Sequence, residues 1–227
     1  MNSVFVTGTD TDVGKTRISV ALIELLQQQG KCVAAMKPIA SGCDMTSNGL
    51  RNADALQLSQ QADVKLAYEL INPYAFEPAI APHLAAEQVD VDIELAVIKH
   101  NFEFIQQQAD AVVVEGAGGW LVPLNQTQTI ADLAIALNLP VVLVVAIRLG
   151  CINHALLTVK AIESAGLTLQ GWVANTIADN SQSAEIIQTL TQRITAPCLG
   201  AVPKLEANES ATEFLSLKSS NAQVLIK

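Results

Sequence analysis

The chain has 227 residues, of which half are hydrophobic and only 15% charged, with a formal net charge of −9. That length and apolar content support one buried core in a single domain spanning 1–227, and they exclude a disordered chain. The acidic balance argues against nucleic acid or an anionic membrane as the main partner. In chain order, the first element is "SVFVT" (3–7), which is apolar on both faces and reads as a buried parallel strand. After Lys15, the residues Ile18, Leu22, Leu25 and Leu26 share one helix face, and Gly30 ends that helix. "CVAAM" (32–36) reads as the second strand. From about Ser41 to Pro82 no period is sustained, as expected of a long excursion over the strands' carboxyl edge, where such folds bind ligands. Leu95, Ile98, Phe102 and Ile105 mark a helix, followed by the strand runs "DAVVVEG" (110–116) and "PVVLVVA" (140–146). Ile152, Leu156 and Val159 mark another helix closing at Gly166, and "GWVANT" (171–176) and "PCLGAV" (197–202) are the last strands. Strand and helix in alternation predict an α/β fold: a doubly wound, mainly parallel sheet with helices on both faces.

The stretch "VFVTGTDTDVGKT" (4–16) carries the clearest chemistry. Five residues separate Gly8 from Gly14, one more than in the usual G-x-x-x-x-G-K-[ST] phosphate loop. A buried strand precedes the loop and an amphipathic helix follows it. Backbone N–H groups and the helix N-terminus can therefore face a phosphate. Lys15 can reach the β- and γ-phosphates and the Thr16 hydroxyl can bind Mg²⁺, which makes the expected fold that of the P-loop nucleoside triphosphate hydrolases. Asp10 and Asp12 put two negative charges into a loop built for an anion. Glu115 ends a strand where the second carboxylate of a nucleotide site usually lies, although a structural ion-pair partner is the other reading. The glycines after it let backbone approach a ligand closely. Lys37 ends the second strand, expected next to the first, and on its own reads as a solvated strand tip that packs little. Asp54, alone, reads as a helix-start residue. Asn175, alone, reads as a turn residue after a strand.

The motifs "VTGTDTDVGKT", "KPIASG", "LRNADAL", "NPYAFEPAIAPH", "VVVEGAGGWLVPL", "RLGCINHALLT" and "GWVAN" follow one another in an order and spacing that resembles the dethiobiotin synthetases, from Val4 to about Pro203. That resemblance implies an ATP-dependent cyclo-ligase of biotin biosynthesis. Such enzymes join CO₂ to 7,8-diaminopelargonic acid with ATP and Mg²⁺, through a carbamate and a carbamic-phosphoric anhydride, and close the ureido ring of dethiobiotin. It implies catalytic roles for Lys15, Lys37 and Thr11, with Lys37 between carbamate and γ-phosphate. Thr16, Asp54 and Glu115 would hold Mg²⁺. ATP contacts would come from Asp12, Val13, Gly14, Lys15 and Thr16, from Glu115, Gly116, Ala117 and Gly118, and from Asn175, Thr176, Pro203, Lys204 and Leu205. Substrate contacts would come from Thr11, Lys37 and Ser41 and from Gly150, Cys151, Ile152 and Asn153. In a homodimer, the latter helix start would receive the carboxylate tail of a substrate held by the other subunit's phosphate loop. The outer acids of the lengthened loop would face the substrate's amines. Position 12 is commonly Glu in that family, and Asp12 keeps the charge on a side chain one methylene shorter. Partitioning and targeting ATPases carry a signature lysine ahead of Gly-Lys-Thr, and that slot is Asp10 here, while the full set Lys15, Thr16, Lys37 and Glu115 speaks against an inactive binding module.

Cys32, Cys43, Cys151 and Cys198 form no C-x-x-C pair, as expected of reduced thiols in a cytosolic protein. Cys151 reads as a small residue at a helix start, and His83 and His154 as structural. No basic leader or membrane-length apolar stretch is evident, so a cytoplasmic location is expected.

Overall fold

A computed structural model of the chain describes residues 2–178, 181–206 and 209–217. Strand β1 (Val4–Gly8) leads through the phosphate-loop segment into α1 (Lys15–Gln28) and β2 (Val33–Met36). The excursion then holds β3 (Ile39–Ala40), β4 (Asp44–Thr46), β5 (Gly49–Arg51), α2 (Ala53–Gln61), α3 (Tyr68–Ile71), β6 (Tyr74–Ala75) and α4 (Pro82–Gln88). After it come α5 (Leu95–Gln106), β7 (Ala111–Gly119), α6 (Ile130–Leu137), β8 (Val141–Ala146), α7 (Cys151–Ser164), β9 (Leu169–Asn175), α8 (Ser183–Arg193) and β10 (Cys198–Val202). A 3₁₀ turn at Thr212–Phe214 follows.

The six strand runs read from the sequence are the six strands of one parallel sheet, in the order β10-β9-β8-β1-β7-β2. The order corrects one expectation, because β2 does not neighbour β1. β7 lies between them, with Val113 paired to Val4 on one side and to Ala35 on the other. Ala111 to Glu115 are fully buried, and a strand apolar on both faces is stable only inside a sheet. At the outer edge, β2 is closed by the excursion. Asp63 N donates to Val33 O (2.9 Å), and Val33 N donates to the Asp63 carboxylate (2.8 Å).

Helices cover both faces. Ile18, Leu22 and Leu26 of α1 pack on Val4, Val6 and Val113, while Ile98, Phe102 and Leu133 pack on Phe5, Val112 and Val114. α1 stops where Gly30 takes φ 80°, with Lys31 N bonded back to Leu26 O at 3.2 Å. On α7 the buried line is Cys151, Ala155, Val159 and Ile162, and Ile152 and Leu156 are only half-buried. Val159 is buried as expected, while the small Cys151 and Ala155 take the core positions expected of Ile152 and Leu156. No helix among the described residues is long and apolar enough to cross a membrane. Strand order reverses around β1, so a crevice opens at the carboxyl ends of β1 and β7, the place where folds of this topology bind ligands.

Candidate active site

The phosphate loop is shaped by two left-handed residues, Asp12 at φ 57° and Gly14 at φ 91°. Asp tolerates that region better than longer side chains do, because its short polar group bonds locally. At Gly14 only glycine fits, since a Cβ there would lie 2.2 Å from Asn175 Nδ2. The Asn175 amide donates to Val13 O (2.8 Å), so the end of β9 buttresses the loop from below.

Asp10, one of the loop's two acids, is bonded within the chain. Its Oδ1 accepts from Thr11 N (2.8 Å) and its Oδ2 from Arg148 Nη2 (2.6 Å). The pair neutralises the charge and ties the loop to the segment before α7. Lys15 Nζ folds back onto Asp10 O at 2.9 Å. Burial, and after it the nearby charge of Lys37, lowers the Lys15 pKa to about 8.

Lys37 is not a solvated tip. It is 4% exposed, and its Nζ donates to Glu115 Oε1 at 2.5 Å and to Gly116 O at 3.2 Å, with Asp54 Oδ2 at 3.5 Å. Burial pulls its pKa down, but Glu115 and Asp54 outweigh that and hold it above the ordinary lysine value. Glu115 is fully buried. Its Oε1 also accepts from Thr16 Oγ1 (3.0 Å), while its Oε2 has no hydrogen-bond partner. Glu115 is therefore an ion-pair partner with one oxygen to spare, and such an orphaned carboxylate oxygen beside a hydroxyl fits a hard cation. Among the described residues no group of three or more His, Cys, Asp or Glu forms a metal cluster. A cation here would complete its shell with hydroxyl, phosphate or water oxygens, as Mg²⁺ does.

The irregular excursion holds these groups in place. Asn72 Nδ2 donates to Lys37 O (2.7 Å), and Tyr68 Oη donates to Asn72 Oδ1 (2.8 Å) while accepting from Asn52 N (2.7 Å). Asn52 caps α2 by accepting from Ala55 N (3.2 Å), which sets Asp54 in the first turn. The result is a cleft of about 870 Å³. It is lined by Thr11, Asp12, Gly14, Lys15 and Thr16 of the loop, by Ser41 and Asp54 of the excursion, and by Lys37, Glu115, Ala117 and Gly118. Ser41 Oγ is buried without a partner.

Other expected residues lie outside that cleft. Asn175 ends β9 and Thr176 follows it, and Pro203, Lys204 and Leu205 follow β10. Gly150 to Asn153 form the start of α7. There Cys151 is buried and its N–H already bonds Arg148 O (3.1 Å), so neither its side chain nor its amide is offered to a ligand. Sequence reasoning missed Arg17, Arg148, Asn52, Tyr68 and Asn72. Only Asn52, an N-cap type just before a helical run, left a local signal. Arg148 meets Asp10 across 138 residues, and Arg17 meets Leu205 across 188.

A parallel sheet whose first strand enters a Gly-Lys-Thr loop, with a strand-end glutamate on the loop threonine, defines a P-loop nucleotide-binding protein. A family described as an AAA domain matches residues 2–212. The MinC:MinD cell division protein complex of Aquifex aeolicus superposes with a TM-score of 0.58, at 16% identity over 90% of this chain and 82% of that one, a likeness of fold alone. The ATP-dependent dethiobiotin synthetase of Pseudomonas aeruginosa is 53% identical over 208 residues, 91% of each chain. That of Cellvibrio japonicus is 52% identical over 216 residues, 94% of this chain and 95% of its own. The chain belongs to the ATP-dependent dethiobiotin synthetase family.

Proposed function

We propose that the chain carries out the ATP- and Mg²⁺-dependent carboxylation and ring closure of 7,8-diaminopelargonic acid with CO₂, giving dethiobiotin, ADP and phosphate. The observation that carries this reading is the charged Lys37, buried between Glu115 and Asp54 in the phosphate-loop cleft. One substrate amine takes up CO₂ as a carbamate. A carbamate oxygen attacks the γ-phosphorus, ADP leaves, and a carbamic-phosphoric anhydride forms. The second amine attacks its carbonyl carbon, the ring closes, and phosphate departs with the bridging oxygen. The carbamate, the triphosphate and the anhydride are all anionic, so fixed cations and positioning carry the catalysis. Lys37 lies between carbamate and γ-phosphate, and Lys15 exchanges Asp10 O for the phosphates. Thr11 and the unpartnered Ser41 hydroxyl bond the carbamate end.

Thr16, Asp54 and Glu115 would hold Mg²⁺, a role that the free Glu115 Oε2 supports. When bound, the ion neutralises charge on the triphosphate oxygens. Asn175, Thr176, Pro203, Lys204 and Leu205 line the base. With its amide held by Val13 O, Asn175 meets the exocyclic amine of adenine through its carbonyl oxygen. In a homodimer the partner's α7 start receives the substrate's tail carboxylate, favoured by the helix dipole and by the open space around Gly150. Mixing inactive Lys15→Ala with inactive Gly150→Glu restores activity if sites are shared, and restores none if each site is confined to one chain. The compartment proposed is the cytoplasm.

ADP release with and without the diamine and bicarbonate tests the function. Synthesis makes ADP release depend on both. Diamine-independent hydrolysis indicates a switch ATPase instead, a class against which Asp10 already speaks, since it fills the signature-lysine slot and bonds Arg148.

A further inference from the structure

We propose that Arg17 is a positioning residue that fixes where the base of the nucleotide lies relative to its phosphates. Arg17 is the third residue of α1, directly after Lys15 and Thr16. Its Nη1 donates to Leu205 O (3.1 Å) and its Nη2 to Glu206 O (2.9 Å). Two consecutive carbonyls thus occupy both arms of one planar guanidinium, a geometry that a lysine cannot reproduce. The segment it grips has no secondary structure of its own. Leu205 packs on the core beneath α1, and Glu206 N donates to the Glu209 carboxylate at 2.8 Å.

The grip completes a circuit. Val13 in the phosphate loop accepts from Asn175, the residue paired with Val202 across β9 and β10. Thr176 N donates to Val202 O (2.9 Å), and from Val202 the chain runs through Pro203 and Lys204 to Leu205. Arg17 returns the circuit to α1, whose N-terminus is the phosphate loop itself. The phosphate-binding and base-lining segments are in this way held at one separation by hydrogen bonds to backbone. The inference rests on the reading that Pro203, Lys204 and Leu205 line the base, and it adds the residue that holds them there.

A role in placing the base separates from a role in folding through a ligand that has phosphates and no base. The test compares Kd for MgATP and for magnesium tripolyphosphate by calorimetry, on wild-type protein, Arg17→Met and Arg17→Lys, with a thermal melt of each. The wild type prefers MgATP. Arg17→Met raises Kd for MgATP by about tenfold, the order expected from losing a charged donor to backbone carbonyls, and leaves tripolyphosphate within about twofold. KM for ATP rises by more than kcat falls. Arg17→Lys, with a single donor nitrogen in place of the two-armed fork, is intermediate, and it decides by the same ratio if Arg17→Met does not fold. An Arg17 variant that keeps the wild-type preference, or that weakens both ligands equally, overturns the role of Arg17 while leaving the base assignment standing. A wild type that binds both ligands equally overturns the base assignment and this inference with it.

Discussion

The two sides of the phosphate loop are built differently. On the cleft side, Lys37 and Glu115 form a buried ion pair, with the partly exposed Asp54 beside Lys37 and Thr16 hydrogen-bonded to Glu115. On the far side, Asn175 and Arg17 donate to backbone carbonyls of Val13, Leu205 and Glu206, and no carboxylate takes part in those three bonds. Burying charges costs desolvation energy that well-packed apolar residues would avoid. Charges kept in the cleft despite that cost mark the place where charge is moved. Donors spent on backbone mark the place where geometry is held.

Removing Lys37 breaks the cleft side most severely. Lys37→Ala lowers kcat by about a hundredfold or more, the effect of losing one preorganised donor. Glu115 is left buried without its counter-ion, and stability falls by about 3–5 kcal/mol. That loss follows from burial, whereas a solvated strand tip would leave folding untouched. Adding Glu115→Gln to the same chain recovers much of the stability and none of the activity. A wild-type urea melt for Lys37→Ala alone contradicts the buried pair.

Glu115→Gln keeps the shape and removes the charge. It shifts the Mg²⁺ titration of activity to concentrations higher by about tenfold or more, consistent with the loss of a hard anionic ligand. Binding of the free diamine changes far less. An unmoved titration refutes the carboxylate's role toward the metal.

Gly14→Ala tests the far side. Its left-handed backbone costs about 1–2 kcal/mol for a residue with a Cβ, and the clash with Asn175 adds to that. Asn175→Ala in the same chain relieves the clash and leaves the conformational part. A double variant as unstable as the sum of the two single variants shows that the buttress is not where the carbon goes.

Arg148→Ala has the smallest effect. Both partners of the Arg148–Asp10 pair are about half exposed, so stability changes by at most about 1 kcal/mol, and the change shrinks in high salt. A larger, salt-insensitive loss means that the loop depends on that tie more than an exposed pair permits.

The sequence carried what local pattern can carry. The six strands stand out because each is apolar on both faces, and Lys15, Thr16 and Glu115 because loop and strand end place them. Strand order was hidden, since the insertion of β7 between β1 and β2 is decided by a crossover and not by either strand's residues. Lys37 looked solvated because its partners Asp54, Asn72 and Glu115 lie far along the chain and leave no local signal beside it. Two core positions of α7 were missed because Cys151 and Ala155 are too small to dominate an apolar pattern. Arg17 and Arg148 were silent, as their partners lie far along the chain.

The central claim is that the carbamate oxygen itself takes the γ-phosphoryl group. Oxygen tracing tests it most directly. Enzyme, ATP and the diamine are mixed with ¹⁸O-labelled CO₂ in ordinary water, and released phosphate is analysed before CO₂ exchanges its oxygens with the solvent. Phosphate is expected to carry one oxygen from CO₂ for each dethiobiotin formed, and with Lys37→Ala labelled phosphate and product both appear about a hundredfold or more slowly. Dethiobiotin formed alongside unlabelled phosphate would contradict it.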